Sequence, residues 1–534
     1  MLRIAIISNN NHITNWQYLA LKKVNKNIKI ELVLNCTNSK SKKKIIKNLL
    51  YYLINLYFYQ GIFFKKININ NIVQQDKILN FKCTKDKNWE KIPDNILNIV
   101  KNKNLDLILK FGMGLLFIPN NEISKFGFFS FHHGDSKFYR GRPAGFYEFL
   151  NNEKSIGTVI QKLSNNIDKG GIVVLCHSKI YNYSFKKTIN NVYFNSTLLL
   201  NNFILKIKKD DGFLKINNSG KLYYLPNNSL VIKFLILNIF VYFKRLCYGL
   251  FFYKDWNISI LENNIFENEK DLKLKLNYNT KIKFNSKYLF YSDPFFIDKN
   301  NVILEAYDAL KAYGSINIYN IQKKTLSKNI LETCKHSSFP SIFKENNCTY
   351  MFPEISSWSE PKIFKIDFKS KHILQDSFLD GFSDTKLIDN ILFESQGIYY
   401  IFFGLRQNNL DVCNLYYSEN NKNGEYVLHP SSPIKISPFG SRLAGNIVKI
   451  NDKLYRLGQD NSQKYGNGIH IFEIITLNKY SYVEKFFKSI KLIDGFGPHT
   501  IDFCEDKIVL DYYFEKFSLF AGLRRLKHLF NKYV

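Results

Sequence analysis

Through the first 210 residues, apolar positions come in short unbroken runs separated by longer stretches of helical spacing. Leu2 to Ser8 is one run. A polar turn from Asn9 to Asn15, a helix-spaced segment from Trp16 to Val24 and a second run from Ile28 to Asn35 follow it. Leu105 to Phe111, Phe126 to Phe131, Ile156 to Leu163 and Ile172 to Cys176 predict further buried strands, and Ile92 to Lys101 and Ser184 to Lys208 predict helices. Strands covered on both faces read as continuous apolar runs, and their alternation with helices predicts a Rossmann-type parallel sheet. Ser39 to Phe64 is basic and then apolar, which predicts a packed helix with a solvated basic end. Asn217 to Asn228 is polar with a proline and reads as a linker.

Leu230 to Tyr253 is apolar but carries Lys233, Lys244 and Arg245, and its uninterrupted core is too short to span a bilayer. Two readings stay open: a connecting helix packed on a domain, or a basic, aromatic helix lying on a membrane surface.

From Trp256 the pattern changes to short strands and turns that repeat. Five units open at Asp293, Phe339, Asp384, Arg442 and His499, each followed by two strands joined by a turn such as 298–301 or Asn451-Asp452. Radial repetition of such units predicts a five-bladed β-propeller with the opening residues facing a central channel. The expected organisation is an α/β domain over 1–228, a linker helix over 229–253, an all-β propeller over 254–516 and a basic C-terminal helix over 517–534.

A chain of 534 residues is too long for one core, which agrees with this division. Lysine plus arginine is 75 and aspartate plus glutamate 45, a net charge of +30. The excess suits an anionic partner, or it reflects a bias toward Asn, Lys and Ile along the whole chain; no nucleic-acid partner is expected. Eight scattered cysteines form no Cys-x-x-Cys pair, so no metal site is expected and a reducing compartment fits. The N-terminus runs directly into a strand without a signal-peptide layout. The expected location is cytoplasmic, with peripheral membrane contact through 230–253 as the variant.

Candidate chemistry concentrates between Ser130 and Gly171. His132 ends the Phe126–Phe131 run, in Ser130-Phe-His132-His133-Gly134-Asp135, and Tyr139-Arg140-Gly141-Arg142 follows. Asp168 sits in the turn Ile-Asp168-Lys-Gly170 between two strands. Titratable residues on glycine-containing loops at strand ends are where open α/β sheets place their sites. Gly112-Met113-Gly114-Leu115 follows another strand, and its glycines permit close approach of a ligand to the backbone. His133 and Asp135 read as substrate contacts or a turn, with the turn preferred. Arg140 and Arg142 suit bidentate binding of phosphate or carboxylate, with a structural ion pair as the other reading for Arg140.

These residues resemble the formyltransferase family, which carries Asn-x-His-Pro-Ser-Leu-Leu-Pro-x-Tyr-Arg-Gly and then Asp in a Leu-Asp-x-Gly turn. His132, Tyr139, Arg140, Gly141 and Asp168 fall on matching positions; Ser130 stands where the family has Asn, and His133 to Lys137 replace the Pro-Ser-Leu-Leu-Pro segment. The resemblance implies catalysis by His132 and Asp168 with Ser130 beside them. It also implies 10-formyltetrahydrofolate as formyl donor against the 112–115 backbone, and an amine acceptor near Tyr139 to Arg142.

The propeller part resembles the N-terminal domain of glucosamine inositolphosphorylceramide transferase, through Asp293-Pro, Phe352-Pro-Glu354, Ser441-Arg442-Leu-Ala-Gly445 and Tyr455 to Gly466. It is also similar to five-bladed glycoside hydrolases, which place Asp, Asp and Glu on successive blades. Asp293 and Asp384 fit the first two, while Arg442 stands where the general acid is expected, so a glycan- or nucleotide-sugar-binding role for Asp293, Glu354, Asp384, Arg442, Asp460 and His499 is preferred over hydrolysis. The joint expectation is formyl transfer to an amino sugar in surface polysaccharide assembly. The alternative is an inactive formyltransferase fold joined to a glycan-binding or glycosyl-transfer-related propeller.

Overall fold

The computed structural model describes residues 1–38, 46–86, 88–209, 219–262, 265–266, 271–276, 282, 287–308, 311, 313–331, 335–355, 360–367, 370, 372–382, 385–405, 411–419 and 421–526. The chain divides into two compact units, 1–242 and 243–534.

In the first unit, strands Leu2–Asn9, Ile28–Cys36, Ile78–Phe81, Leu107–Lys110 and Gly127–His132 are mutually parallel. Ser155–Lys162 and Ile172–Lys179 extend the sheet antiparallel beyond Gly127–His132. Spatially the order runs Ile78–Phe81, Ile28–Cys36, Leu2–Asn9, Leu107–Lys110, Gly127–His132, Ser155–Lys162, Ile172–Lys179. The chain moves outward on one side of Leu2–Asn9 and then returns to its other side with Leu107–Lys110. Such a reversal opens a crevice at the carboxyl ends of the two strands. Ile4, Ile6 and Ile7 are fully buried, as a strand covered on both faces requires. The Phe185–Lys208 helix starts where Ser184 accepts the Lys187 amide and covers the antiparallel end of the sheet through residues such as Ile189, Val192 and Leu199.

Three expectations need correction here. The segment 9–15 is not only a turn, because His12–Thr14 forms a short strand paired with Lys66–Asn68. The segment 217–228 is not a free linker: Lys221–Tyr223 pairs in parallel with Tyr139–Gly141, which anchors it beneath the candidate site. The apolar helix after the basic run is Leu49–Phe58, and it is only half packed, with Tyr51 buried and Leu53, Leu56 and Tyr57 exposed. Residues 39–45 of that prediction lie outside the described residues.

The 230–253 prediction is met by one helix, Asn228–Phe251, which carries the division between the units. No helix among the described residues is long and apolar enough to cross a membrane.

The second unit is propeller-like and rich in β-structure. Among the described residues it holds five sheets, with leading strands Tyr288–Asp298, Ser337–Glu345, Leu387–Ser395, Phe439–Leu443 and Ile501–Cys504. The last sheet is completed by Phe252–Glu262, which pairs antiparallel with Lys507–Phe517 along its whole length, so the start of the unit closes against its end. Apolar contacts link each sheet to the next. Phe295 meets Phe339 edge-on at 5.0 Å, Phe343 clusters with Leu392 and Phe403, and Phe402 meets Tyr482 at 5.9 Å. Leu457 clusters with Ile501, and Val509 with Phe296 and Val302.

A bulge recurs near the start of the first four leading strands. Register shifts at Ser292/Phe295, Ser338/Ser341, Ile388/Ile391 and Phe439/Leu443 coincide with left-handed residues Asp293 (φ 49°), Phe339 (φ 46°), Asp389 (φ 49°) and Gly440 (φ 89°). A bulge bends its strand and re-aims the side chain it carries.

Candidate functional site

In the first unit the Gly127–His132 strand delivers His132 and Ser130 on one face, and its parallel neighbour places Lys110 beside Ser130 while its antiparallel neighbour places Gln161 there. Asp168 comes from the turn after Ser155–Lys162, with φ 50°. Its Oδ1 lies 3.5 Å from His132 Nδ1 and accepts from Gln161 Nε2 at 3.0 Å, and its Oδ2 accepts the Gly141 amide at 2.8 Å. Gly141 has φ 88°, and a Cβ there would strike the Tyr223 carbonyl, so the amide that orients Asp168 depends on glycine.

The other ring nitrogen of His132 is occupied. Nε2 lies 3.0 Å from the Tyr139 carbonyl, which can only accept, so Nε2 donates to it. Ser130 Oγ shares its hydroxyl between the main-chain carbonyls of Lys110 (3.3 Å) and Phe131 (3.2 Å). Ser130 and Asp168 line a recess of about 130 Å³ whose wall also includes Lys110, Gly114, Leu115 and Gln161. A larger cleft of about 540 Å³ adjoins it through Gly114 and is lined by Asn9, Cys36, Asn38, Glu90, Phe111 and Gly112. The cleft therefore occupies the crevice at the reversal of strand order. Of the backbone segment expected to meet the donor, Gly114 and Leu115 face the recess and Gly112 faces the cleft. Met113 holds the turn, with φ 66° and its amide donating to Asn9 Oδ1 at 2.9 Å.

Lys110 was hidden from sequence reasoning because it ends an apolar strand, where a polar residue looks like punctuation. It is half-buried on the recess wall, and among the described residues no hydrogen bond or ion pair holds its ammonium. Burial lowers its pKa, with Glu90 and Asp168 pulling the other way.

The remaining predicted residues divide between structure and exposure. Tyr139 donates its hydroxyl to Glu153 at 2.8 Å and stacks on Tyr223. Among the described residues Arg140 forms no ion pair; its guanidinium donates to the carbonyls of Gly220 (2.5 Å) and Ile167 (3.4 Å), tying the Asp168 turn to 219–223. Arg142 is exposed. Asp135 is a turn residue that accepts the Lys137 amide. His133 is not: it is enclosed by Trp16 and Tyr193, and burial, with His132 beside it, pushes it down to about 3.

The second unit gathers a buried polar cluster at the starts of its leading strands. His499 Nδ1 stands 3.3 Å from Asp293 Oδ1 and 3.1 Å from Asp511 Oδ2, and its Nε2 lies 2.5 Å from the Tyr465 hydroxyl. Burial opposes the imidazolium, but Asp511 and Asp293 raise His499 to about 10. Burial likewise opposes charge on Asp293, yet hydrogen bonding and the charge of His499 hold its carboxyl below the usual value. Arg442 grips Asp389 through Nε and, at 3.1 Å, through Nη2, and its guanidinium lies 4.9 Å over the Tyr465 ring. Glu354 Oε2 accepts the Asp389 amide at 3.3 Å.

Of the predicted residues, Asp293, Glu354, Arg442 and His499 come together around this cluster. Asp384 lies outside the described residues, and the acid in the third sheet's contribution is Asp389, which shares the left-handed bulge of Asp293. Asp460 stands apart from the cluster: it accepts from Ser462 and Asn467 and faces His470 and Lys491. Asp293, His499 and Asp511 are close enough to hold a metal ion, and an imidazolium there offsets one of the two carboxylate charges. Further along the leading strands lies a second cavity of about 600 Å³, lined by Phe296, Lys344, Glu394 and Asp502 from those strands and by Lys449 from Val448–Ile450.

Comparison with known proteins finds similarity for part of the second unit. Solved structures similar to the chain include a sugar 3N-formyl transferase determined with dTDP and 5-N-formyl-THF (18% identity, TM-score 0.26, 58% of this chain and 95% of that one). A family-43 β-1,3-galactosidase is similar at 11% identity and TM-score 0.29, over 41% of this chain and 49% of the other. Both likenesses are distant. The glucosamine inositolphosphorylceramide transferase 1 of Oryza sativa subsp. japonica is 30% identical over 162 residues, 29% of this chain and 21% of the relative. That of Arabidopsis thaliana is 28% identical over 163 residues, 29% and 20%. The chain spans about a fifth of the length of these curated relatives. Residues 276–492 match the family model described as glucosamine inositolphosphorylceramide transferase 1, N-terminal.

Proposed function

We propose that the first unit transfers a formyl group from 10-formyltetrahydrofolate to the amine of an amino sugar, and that the second unit is a five-bladed propeller that binds a glycan or nucleotide sugar. The observation that carries the transferase reading is the pairing of His132 with an Asp168 whose carboxylate is itself oriented by Gly141 and Gln161, on the wall of a recess. A small recess beside a cleft within the range of about 300–1,000 Å³ usual for small-molecule pockets suits a donor with one small reactive group and a larger body.

In the reaction the amine nitrogen bonds to the formyl carbon and the bond from that carbon to the donor nitrogen breaks. The proton lost by the amine ends on the donor nitrogen, giving a formamide and tetrahydrofolate. Asp168 orients His132 and accepts hydrogen-bond density from the attacking amine. His132 reaches the reacting carbonyl only after Nε2 leaves the Tyr139 carbonyl. Lys110 supplies the positive donor for the oxygen that becomes negative, at the position where Ser130 has no side chain long enough to reach; fixed charge aimed at developing charge is commonly the largest catalytic contribution.

A second reading is favoured by the same two hydrogen bonds. With Nε2 tied to Tyr139 and the Ser130 hydroxyl spent on main chain, the fold would bind without catalysing. For the propeller, binding is preferred over hydrolysis because Asp293, Asp389 and Glu354 each already hold a partner within the protein.

The test is to incubate the full chain with 10-formyltetrahydrofolate and a panel of nucleotide-linked amino sugars, and to follow tetrahydrofolate release and the mass of the sugar. Calorimetry with 5-formyltetrahydrofolate distinguishes the readings. Binding with turnover supports transfer, binding without turnover supports the second reading, and no binding removes both.

A further inference from the structure

The Asn228–Phe251 helix contains no acidic residue and buries only Val231 and Phe234. At roughly 100° per residue, Ile232, Ile236, Ile239, Phe243, Leu246 and Leu250 fall within about 40° of one line along it. All six are exposed, between 45 and 62%. A stripe of this kind in water is unfavourable at about 25 cal/mol per Å² of apolar surface, and large exposed patches mark sites of contact.

The surroundings of the stripe select the contact. Lys233 and Lys244 lie about 100–120° from the line, Arg245 lies about 140° from it on the other side, and Phe240 and Tyr242 flank it at about 80°. Within the second unit, 517–526 adds exposed Phe520, Leu523 and Leu526 with Arg524 and no acid, and Arg525 donates to the carbonyls of Gly249 and Phe252 at the end of the same helix. A protein partner would be met by mixed polar groups at the rim of the patch. An apolar line flanked by aromatic rings, on a helix that carries cations and no acid, matches the headgroup region of an anionic bilayer, into which such helices sink their apolar face while lying flat.

We propose that the Asn228–Phe251 helix, extended by 517–526, docks the protein on an anionic membrane surface without crossing it. The charge of the whole chain, +30, adds long-range attraction to the same surface. The proposal does not depend on formyl transfer.

The full chain would be titrated with vesicles of phosphatidylcholine alone and with phosphatidylserine added, and binding read by flotation. The exposed thiol of Cys247, on the helix itself, takes an environment-sensitive fluorophore as a second readout. The expected result is at least ten-fold tighter binding to the anionic vesicles, a blue shift of the label and loss of both in high salt. Phe243→Asp should weaken binding at least ten-fold, and Lys244→Ala roughly five-fold. Since both side chains are exposed, melting temperatures should not move; Ile239→Asp serves if Phe243→Asp fails to fold. Absence of vesicle binding, or binding that survives both apolar-to-Asp changes, overturns the proposal. An oligomer in sedimentation velocity that Phe243→Asp disperses, without vesicle binding, overturns it in favour of a second copy of the chain.

Discussion

Asp168 faces His132 across 3.5 Å, carboxylate Oδ1 to ring Nδ1, while its second oxygen is pinned by the Gly141 amide. The geometry separates charge from position. Asp168→Asn keeps an oxygen for Gly141 but removes the negative charge beside the ring. Turnover should fall by about 10²–10⁴, the usual worth of a positioned acid or base, with melting changed little. His132→Ala should fall as far. Wild-type turnover in both variants, measured by tetrahydrofolate release, would show that this pair does no chemistry.

Lys110 and Ser130 are register partners on neighbouring strands, and their substitutions should interact. Lys110→Met removes the positive donor and should cost roughly 10²–10³ in kcat, the scale of one oxyanion donor. Ser130→Asn lengthens the side chain toward the recess, should preserve or raise turnover in the wild type, and should restore part of the loss in Lys110→Met. Because burial lowers the Lys110 pKa, its charge disappears at lower pH than that of an ordinary lysine. The alkaline limb of the kcat profile should therefore vanish in Lys110→Met. Equal profiles in the two proteins would remove Lys110 from the mechanism.

The parts of the first site legible in the sequence were those fixed by local spacing. His132 follows a buried strand and Asp168 opens a turn two strands later, so motif and topology agreed. Lys110 carried no such marker, and its role comes only from the register that sets it beside Ser130. Arg140 carried no local sign of its partners, the carbonyls of Gly220 and Ile167, because one of them returns from 80 residues along the chain. In the second unit, Ser383-Asp384 mimics Ser292-Asp293 in sequence, but the repeated feature is a left-handed bulge. Asp389, between Ile388 and Asn390, has the bulge without the serine or the proline. The pairing of Phe252–Glu262 with the far end of the unit left no local pattern to read.

His499 makes the stability of the second unit depend on pH. Its folded pKa, about 10, lies above the ordinary value near 6.5. The stabilisation is then complete below about pH 6.5, declines as pH rises and is gone above about pH 10. Thermal melting of the full chain should show its second-unit transition fall across that window. His499→Gln should flatten the dependence and lower the transition at neutral pH, because Asp293 and Asp511 lose the charge between them. An unchanged slope in His499→Gln would mean that the imidazolium is not what the two carboxylates share.

Arg442 tests whether the cluster is built to bind or only to hold itself together. Its side chain is 15% exposed and its partner Asp389 only 2%, so Arg442→Ala leaves a buried carboxylate without its cation. Breaking such a pair from one side costs about 3–5 kcal/mol, and the second unit should melt earlier by that amount. The substitution therefore changes folding as well as recognition, and loss of glycan binding in it would be ambiguous. Removing both charges avoids this. Asp389 has φ 49°, where Asn is tolerated and a branched apolar residue is strained, so the double change is Arg442→Met with Asp389→Asn. It should recover most of the stability lost in Arg442→Ala. Weak glycan or nucleotide-sugar binding in this double variant, measured by calorimetry beside an unshifted melting curve, would mark the exposed edge of Arg442 as a ligand contact. Full binding would make the Arg442–Asp389 pair purely structural and move the search to the 600 Å³ cavity around Lys344 and Asp502.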